Sequence, residues 1–251
     1  MTADPIWTAI PEHELVPYQA LSRLPVRSLL VLAPHPDDEV LGCGGLLALA
    51  AEQGVDARVV VVSNGAVGGD AALREQESRQ ALRALGLTDA EPGLQFWRLP
   101  DRGLMPDAAL VERIRQRLDT DRPEWLLVTS PFEVHPDHRA LCLAAMAAIT
   151  PTTRLGFYEV GQPLMPNTLI DISAALVRKQ AALKCYPSQL ASQAYDEQML
   201  ALNRFRAYTL GPSVTHAEAL WFPQMQSGLS AATVQKELVT LLARRLGLPV
   251  P

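Results

Sequence analysis

A short segment near the start of the chain concentrates side chains that bind metals or transfer protons. APHPDDEVLGCGG, residues 33–45, places His35, Asp37, Asp38 and Glu39 directly after the apolar run SLLVLA. An aspartate after a proline often begins a helix, where its carboxylate caps backbone N–H groups, and capping is an adequate explanation of one such segment. Burying several carboxylates at the end of a strand is nevertheless costly unless they are paired or coordinated. The segment therefore predicts a positive partner.

A second segment repeats this arrangement later in the chain. SPFEVHPDHRA follows the apolar run EWLLVTS and carries His135, Asp137 and His138 at the start of a predicted helix. Two imidazoles and one carboxylate are a frequent ligand set for a catalytic divalent metal, with positions left for water and substrate. His35 and Asp38 can meet His138, with or without His135, if the two strand ends are neighbours. Because the pattern occurs twice, the sequence favours a metal site over capping alone.

The adjacent aspartates Asp37 and Asp38 are expected to have different roles, because neighbouring side chains point in different directions. One can coordinate the metal while the other accepts a proton from the nearby water, whose pKa a metal lowers to about 7. A histidine that is not a ligand can protonate a leaving amine or donate a hydrogen bond to an oxyanion. These residue types indicate metal-dependent hydrolysis.

The elements that must position these side chains alternate between strand and helix patterns, which is typical of a parallel sheet built from βαβ units. Strands are predicted near residues 27–34, 57–63, 94–99, 124–130 and 153–159. Helices are predicted near residues 40–53, 73–86, 107–119, 137–149, 173–185 and 193–208. TLIDIS and AEALWF add two later strands. The fold class is therefore α/β and Rossmann-like, with a mostly parallel sheet, helices on both faces and the site at the carboxyl ends of the strands.

The chain is predicted to form one domain over residues 1–251, with a core of about 27–222. An N-terminal extension, 1–26, carries prolines and little periodicity, and we expect it to lie over the surface. Near the C-terminus, 230–247 has apolar residues at helical spacing. We expect this helix to dock on its own domain, or alternatively to mediate a homo-oligomer contact.

Composition limits the partners. Net charge is −5 and hydrophobic residues make up 48% of the 251 residues, an ordinary globular composition. The basic residues are scattered, which argues against nucleic acid as a partner. No apolar run approaches the roughly 20 residues of a membrane span, and the acidic N-terminus differs from a signal peptide. We therefore expect a cytoplasmic protein with a small-molecule substrate and no membrane insertion.

The motifs PHPDDEVLGCGG and HPDH, in this order, resemble those of the PIG-L/LmbE-like zinc-dependent de-N-acetylases. Weaker similar stretches extend the resemblance over about residues 27–222. The resemblance implies one Zn²⁺ per chain, held by His35, Asp38 and His138. It also implies removal of an N-acetyl group from an N-acetylglucosamine-type sugar or conjugate, with release of acetate.

The same resemblance implies roles for further residues. Asp37 would be the general base, and His135 would act as general acid or stabilise the oxyanion. Asp137, between His135 and His138, would orient one of these two histidines. Arg74 and Asp101 match positions that contact the sugar substrate, although a solvated helix face and a turn explain them equally well.

Two further positions are left open. Glu133 departs from the residues that some family members place before HPDH, which leaves substrate contacts on that side open, and a solvated loop acid is the alternative. For His216 we weigh a place at the pocket mouth against ordinary local hydrogen bonding.

Two other functions compete with deacetylation. The same two histidines and one aspartate can hold iron in a non-haem enzyme, but that triad usually appears as HxD on an all-β scaffold. A non-catalytic sugar- or metal-binding module is the second alternative. A binding module would not need Asp37 and His135. For these two reasons, the spacing of the triad and the presence of Asp37 and His135, both alternatives are less favoured than the hydrolase.

Overall fold

The computed structural model describes residues 18–223. Its strands are β1 Gln19–Leu21, β2 Ser28–Ala33, β3 Asp56–Ser63, β4 Leu94–Leu99, β5 Trp125–Thr129, β6 Arg154–Tyr158, β7 Thr168–Asp171 and β8 Ala217–Trp221. Its α-helices are α1 Asp38–Gln53, α2 Ala71–Leu85, α3 Ala108–Asp121, α4 Pro136–Ala148, α5 Leu176–Leu183, α6 Pro187–Leu190 and α7 Tyr195–Arg206. The predicted helix at 230–247 lies outside the described residues. Within them, no helix has both the length and the apolarity to span a membrane.

All eight strands form one sheet in the order β1-β7-β8-β6-β5-β2-β3-β4. Every neighbouring pair is parallel except those of β8, which runs antiparallel between β6 and β7. The chain leaves β2 toward β3 on one side and returns to place β5 on the other side of β2. In open α/β sheets ligands bind at such a switch of strand order, outside the carboxyl ends of the strands. The two sequence segments that carry the candidate metal-binding residues follow this pair of strands, β2 and β5.

The central strands are buried on both faces, which explains why their sequences are continuous apolar runs. Along β2, Leu29 and Val31 point into the core under α1, α2 and α5. Leu30 and Leu32 point into the opposite core under α3 and α4. The predicted fold class, a mostly parallel Rossmann-like sheet with helices on both faces, is confirmed.

The prediction for residues 1–26 was wrong in one part. Gln19–Leu21 is not simply draped over the surface but forms β1, which pairs in parallel with β7 at the edge of the sheet. A strand of three residues with mostly exposed side chains has no hydrophobic alternation, so its sequence carries no strand signal.

A buried ion pair from two other elements forms hydrogen bonds with the backbone in the middle of helix α1. Glu218 of β8 accepts the backbone N–H groups of Gly45 and Leu46, both at 2.7 Å. Lys179 of α5 donates to the same carboxylate at 2.7 Å, and both charged side chains are almost completely buried. A Cβ at Gly45 would lie 2.5 Å from Ile172 Cγ2, so only glycine allows this close approach. The GCGG run therefore serves helix packing rather than ligand binding.

Candidate active site

A cleft of about 700 Å³ opens at the carboxyl ends of β2 and β5. Its floor contains His35 and Asp38, which come from the β2–α1 connection and the first turn of α1. His135 and His138 reach the same floor from the start of α4, after β5. The structure thus brings together the two segments that the sequence singled out.

Three donor atoms on the floor form a nearly equilateral triangle. Asp38 Oδ2 lies 3.2 Å from His35 Nδ1 and 3.2 Å from His138 Nε2. The two ring nitrogens are 3.3 Å apart. Tetrahedral zinc bonds of about 2.0–2.1 Å to nitrogen and oxygen would separate neighbouring donors by about 3.3–3.4 Å. The spacing of these three atoms therefore fits a metal ion held on one side by all three.

The charges around this triangle favour a cation. Burial opposes charging of His35, but hydrogen bonds to Asp101, Asp137 and Asp38 outweigh it and raise its pKa to about 11. Burial likewise opposes charging of His138, yet Asp38 raises its pKa to about 9. Burial tends to raise the pKa of Asp38, but the charge of His138 and hydrogen bonds from both histidines lower it. A site that attracts protons this strongly also suits a divalent ion.

The second ring nitrogen of His35 is held between two carboxylates. His35 Nε2 lies 3.2 Å from Asp101 Oδ1 and 3.3 Å from Asp137 Oδ2. Asp137 is itself fixed by the backbone N–H groups of Arg102 at 2.7 Å and Leu104 at 3.2 Å. Carboxylates in this position orient a ligand histidine by fixing its proton on the outer nitrogen. The resemblance implies that Asp137 orients His135 or His138, whereas its carboxylate contacts His35, as does that of Asp101. An orienting role for Asp137 toward His35 stays a prediction.

Asp101 lies at the edge of the cleft but is not a simple turn residue. Its Oδ2 accepts the backbone N–H of Val67 at 2.9 Å, so the carboxylate connects His35 to the glycine-rich loop between β3 and α2, residues 64–70. Burial tends to raise the pKa of Asp101, but the hydrogen bond from His35 and its charge lower it. A direct contact between Asp101 and a sugar remains a prediction.

Glu133 is not the solvated loop acid that the sequence suggested. It is 1% exposed, and its carboxylate accepts the backbone N–H groups of Val160 and Gly161, each at 2.9 Å. Its Oε2 also lies 3.5 Å from His138 Nδ1, which has no hydrogen-bond partner among the described residues. Local sequence carries no sign of this burial, because the loop after β6 wraps the carboxylate from a distant part of the chain.

Asp37 has an unusual backbone conformation. Its φ of 127° lies in the region that favours glycine, and such strain costs on the order of 1–3 kcal/mol. Unlike Asp70, whose carboxylate accepts the N–H of Leu73 at the start of α2, the Asp37 side chain caps no backbone N–H of α1 within the described residues. Capping therefore does not explain Asp37. Burial and the neighbouring charge of Asp38 raise its pKa to about 8, against the opposing effect of Arg74.

Arg74 is buried beneath the glycine-rich loop, so the solvated helix face was the wrong alternative. Its guanidinium donates to the carbonyls of Gly65 at 2.9 Å and Pro36 at 2.7 Å, and to Asp37 Oδ2 at 3.1 Å. It also lines the cleft. Arg74 therefore contacts the proposed base, Asp37, directly, and a further contact with substrate stays a prediction.

His135 lies beside the donor triangle. Its ring centre is 4.5 Å from that of His35 in an edge-to-face arrangement, and its ring is close enough to be an alternative ligand. Its Nδ1 accepts the backbone N–H of Asp137 at 3.2 Å, which assigns the proton of the neutral ring to Nε2. Burial and the charges of His35 and His138 lower its pKa. His135 is therefore a neutral donor near the cleft floor.

Other parts of the cleft wall were not predicted from the sequence. Helix α7 contributes Tyr195, Met199 and Leu202, spaced as one helix face, and the loop after β6 contributes Val160. His216, by contrast, lies outside the lining and contacts Thr215 Oγ1 at 3.2 Å. The spacing of the α7 residues resembles ordinary core packing, so the sequence could not show that they face a cleft.

The fold and the site define an α/β enzyme with a cluster able to hold a metal at the switch of strand order. The chain belongs to the PIG-L family, described as GlcNAc-PI de-N-acetylase, which matches residues 30–149. It is 30% identical over 181 residues to the uncharacterized deacetylase YaiS of Escherichia coli K12, covering 64% of this chain and 91% of that protein. The predicted family and enzyme class, hydrolases acting on N-acetyl amides, are confirmed.

Other relatives extend the comparison. The chain is 26% identical over 202 residues to the diacetylchitobiose deacetylase of Thermococcus kodakarensis, covering 68% of this chain and 73% of that protein. The crystal structure of the conserved protein TT1542 from Thermus thermophilus superposes with a TM-score of 0.69 at 31% identity, covering 80% of this chain and 96% of that one. The 4-oxalmesaconate hydratase of Pseudomonas putida KT2440 is 27% identical over 193 residues, covering 66% of this chain and 75% of that protein. The family therefore includes proteins named for different reactions.

Proposed function

We propose that this protein is a zinc-dependent hydrolase that removes the N-acetyl group from an N-acetylglucosamine-type sugar or sugar conjugate and releases acetate. One observation carries the proposal: the donor triangle of His35, Asp38 and His138 lies on a cleft floor that also presents Asp37 and His135. A binding module would need the triangle but not a strained, uncapped aspartate beside it.

The chain supplies a base and a hydrogen-bond donor around the metal site. Zinc held by the triangle would lower the pKa of water to about 7 and polarise the acyl carbonyl. With a cation held beside it to favour its ionised form, Asp37 takes the proton from the attacking water and passes it to the departing amine, so that amide and water become acetate and amine. Arg74 holds the Asp37 carboxylate at 3.1 Å. His135 donates its Nε2 proton in a hydrogen bond to the developing oxyanion.

The cleft suits an uncharged sugar conjugate. Its volume of about 700 Å³ is within the range of sites for drug-sized ligands and leaves room beyond a single sugar ring. The cleft lining also includes the side-chain amides of Gln189, Gln193 and Gln198, a residue type that can bind hydroxyl groups, and the apolar Met199 and Leu202. These groups carry no charge.

Hydration of a double bond is the second candidate, favoured by the hydratase relative. A substrate with several carboxylates needs free cationic side chains. Of the described residues that line the cleft, Arg74 already donates to three protein oxygens, and Arg102 lies exposed at the rim. The cleft therefore supports the neutral amino sugar better than a polyanion.

The test is acetate release from a panel of N-acetylglucosamine conjugates, neutral and anionic, by protein loaded with Zn²⁺ or Fe²⁺. Asp37→Asn should keep zinc and lose about 10²–10⁴-fold in kcat, because an amide accepts no proton. Asp107→Asn is the matched control, since Asp107 caps α3 away from the cleft and asparagine caps as well.

Three outcomes would overturn the proposal. Sugar binding without acetate release would identify a binding module, and turnover of 4-oxalmesaconate alone would identify a hydratase. Near-normal kcat in Asp37→Asn would remove the assigned base.

A further inference from the structure

The proposed function gives no part in metal binding or proton transfer to Glu39, the third acid of PHPDDEVLGCGG. We propose that Glu39 is a positioning residue that holds Asp37 in the backbone conformation required for catalysis. This inference rests on the proposed role of Asp37 as general base.

The contacts of Glu39 connect it to Asp37 on one side and to the protein core on the other. Glu39 is completely buried, and its Oε2 accepts the backbone N–H of Asp37 at 2.9 Å. Its Oε1 accepts the hydroxyl of Tyr186 at 2.6 Å. Tyr186 is 2% exposed and its hydroxyl also reaches Ser78 Oγ at 3.5 Å. The hydrogen bond from Tyr186 therefore holds the Glu39 carboxylate in place independently of its contact with the Asp37 backbone.

Asp37 needs such a restraint because its conformation is unfavourable for a residue with a side chain. Its φ is 127°, and it precedes the first residue of α1, where a backbone N–H has no partner within the helix. Glu39 satisfies this N–H. Without the acceptor, the turn is free to relax toward an ordinary φ, and the Asp37 side chain rotates away from Arg74 and the cleft floor.

A merely structural role for Glu39 would have a different signature. A carboxylate that only joins α1 to Tyr186 would affect stability and would lower activity to the same degree whether or not Asp37 is present. A positioning residue acts through Asp37, so its removal has no further effect once Asp37 has lost its function.

The experiment measures Glu39→Leu in the wild-type background and in Asp37→Asn. We expect kcat to fall about tenfold to hundredfold in the single variant, with KM and zinc content nearly unchanged. In the double variant we expect the residual rate of Asp37→Asn to stay within about twofold. Glu39→Gln keeps an oxygen acceptor for the Asp37 N–H and should restore most of kcat.

Tyr186→Phe provides an independent test if Glu39→Leu does not fold. It removes only the hydroxyl that fixes Glu39, and we expect a few-fold loss of kcat that also disappears in the Asp37→Asn background. Thr153→Val is the control: its buried hydroxyl donates to the Pro123 carbonyl at 2.9 Å, before the first residues of β5 and β6 and so at the opposite end of these strands from the cleft, and kcat should not change.

The outcomes separate this inference from the proposed function. Equal losses from Glu39→Leu with and without the Asp37→Asn change would overturn the positioning role, as would wild-type kcat in Glu39→Leu. Near-normal kcat in Asp37→Asn itself would instead overturn the proposed base.

Discussion

The contact between Asp101 and His35 gives the sharpest test of how the metal site is built. Asp101 uses both carboxylate oxygens: Oδ1 lies 3.2 Å from His35 Nε2 and Oδ2 accepts the Val67 N–H at 2.9 Å. Asparagine cannot satisfy both donors, because its NH₂ group must face one of them. When it faces His35, it favours the proton on Nδ1, the nitrogen that belongs to the donor triangle.

The expected loss of zinc affinity in Asp101→Asn depends on the contact of Asp137 with His35, which the substitution leaves in place. Loss of an outer carboxylate partner typically costs 10–100-fold in metal affinity. Asp137 Oδ2 still lies 3.3 Å from His35 Nε2 and continues to favour the productive tautomer. We therefore expect Asp101→Asn to weaken zinc binding by about tenfold, equivalent to about 1.4 kcal/mol. Asp101→Asn combined with Asp137→Asn should approach the upper end of the range.

The assay is the dissociation constant for zinc, measured by competition with a chelator of known affinity. Asp107→Asn is the control, because the same chemical change at the N-cap of α3 leaves His35 untouched. The alternative role of Asp101, a contact with the sugar, predicts the opposite pattern. Unchanged zinc affinity with a raised KM in Asp101→Asn would refute the orienting role and support the substrate contact.

Other expectations follow from the same site. His35→Ala, Asp38→Ala and His138→Ala should each lower the zinc content of the purified protein well below one ion per chain, and full occupancy in all three would exclude this ligand set. His135→Ala should keep its zinc and lose about 10²–10³-fold in kcat, because an oxyanion donor is removed; loss of zinc would make His135 a ligand. In chelator-treated protein, His35 and His138 have pKa values of about 11 and about 9, above the unfolded value of about 6.5. The contribution of these two protonated histidines to the free energy of unfolding is complete below pH 6.5 and is lost as the pH rises from there through the two folded-state pKa values. Tm should therefore fall between pH 7 and 9. Saturating zinc should reduce this slope, and a flat profile without metal would contradict the assigned charges.

The proposed metal-binding side chains could be predicted from the sequence because they follow apolar runs in two short segments. His35 and His138 are far apart in the chain, but both follow the ends of parallel strands, and the carboxyl ends of parallel strands share one edge of the sheet. The adjacency of β2 and β5 then brings their donor nitrogens to 3.3 Å. Periodicity and local motif were sufficient for this part.

The burial of the side chains around the proposed ligands could not be predicted from the sequence in the same way. Glu133 looks like a loop acid, and its burial depends on the loop at Val160 and Gly161, which the sequence does not connect to it. Arg74 lies on an amphipathic helix where an exposed face was an equal alternative. Its burial depends on carbonyls of the glycine-rich loop. Contacts of this kind arise only when distant turns fold over a side chain.

The ion pair between Lys179 and Glu218, which holds the middle of α1, has a consequence for synthesis of the chain. The family match at residues 30–149 contains all of the proposed metal-binding and proton-transfer residues. The middle of α1 nevertheless depends on Lys179 and on Glu218, which arrive only with α5 and the last described strand. A nascent chain therefore contains all of the proposed metal-binding and proton-transfer residues long before Lys179 and Glu218 are available to hold α1, the helix that begins at Asp38. In ribosome-bound chains that stop before residue 217, we expect added metal to cause no slowing of backbone amide exchange in α1. The site should form only when β8 inserts between β6 and β7.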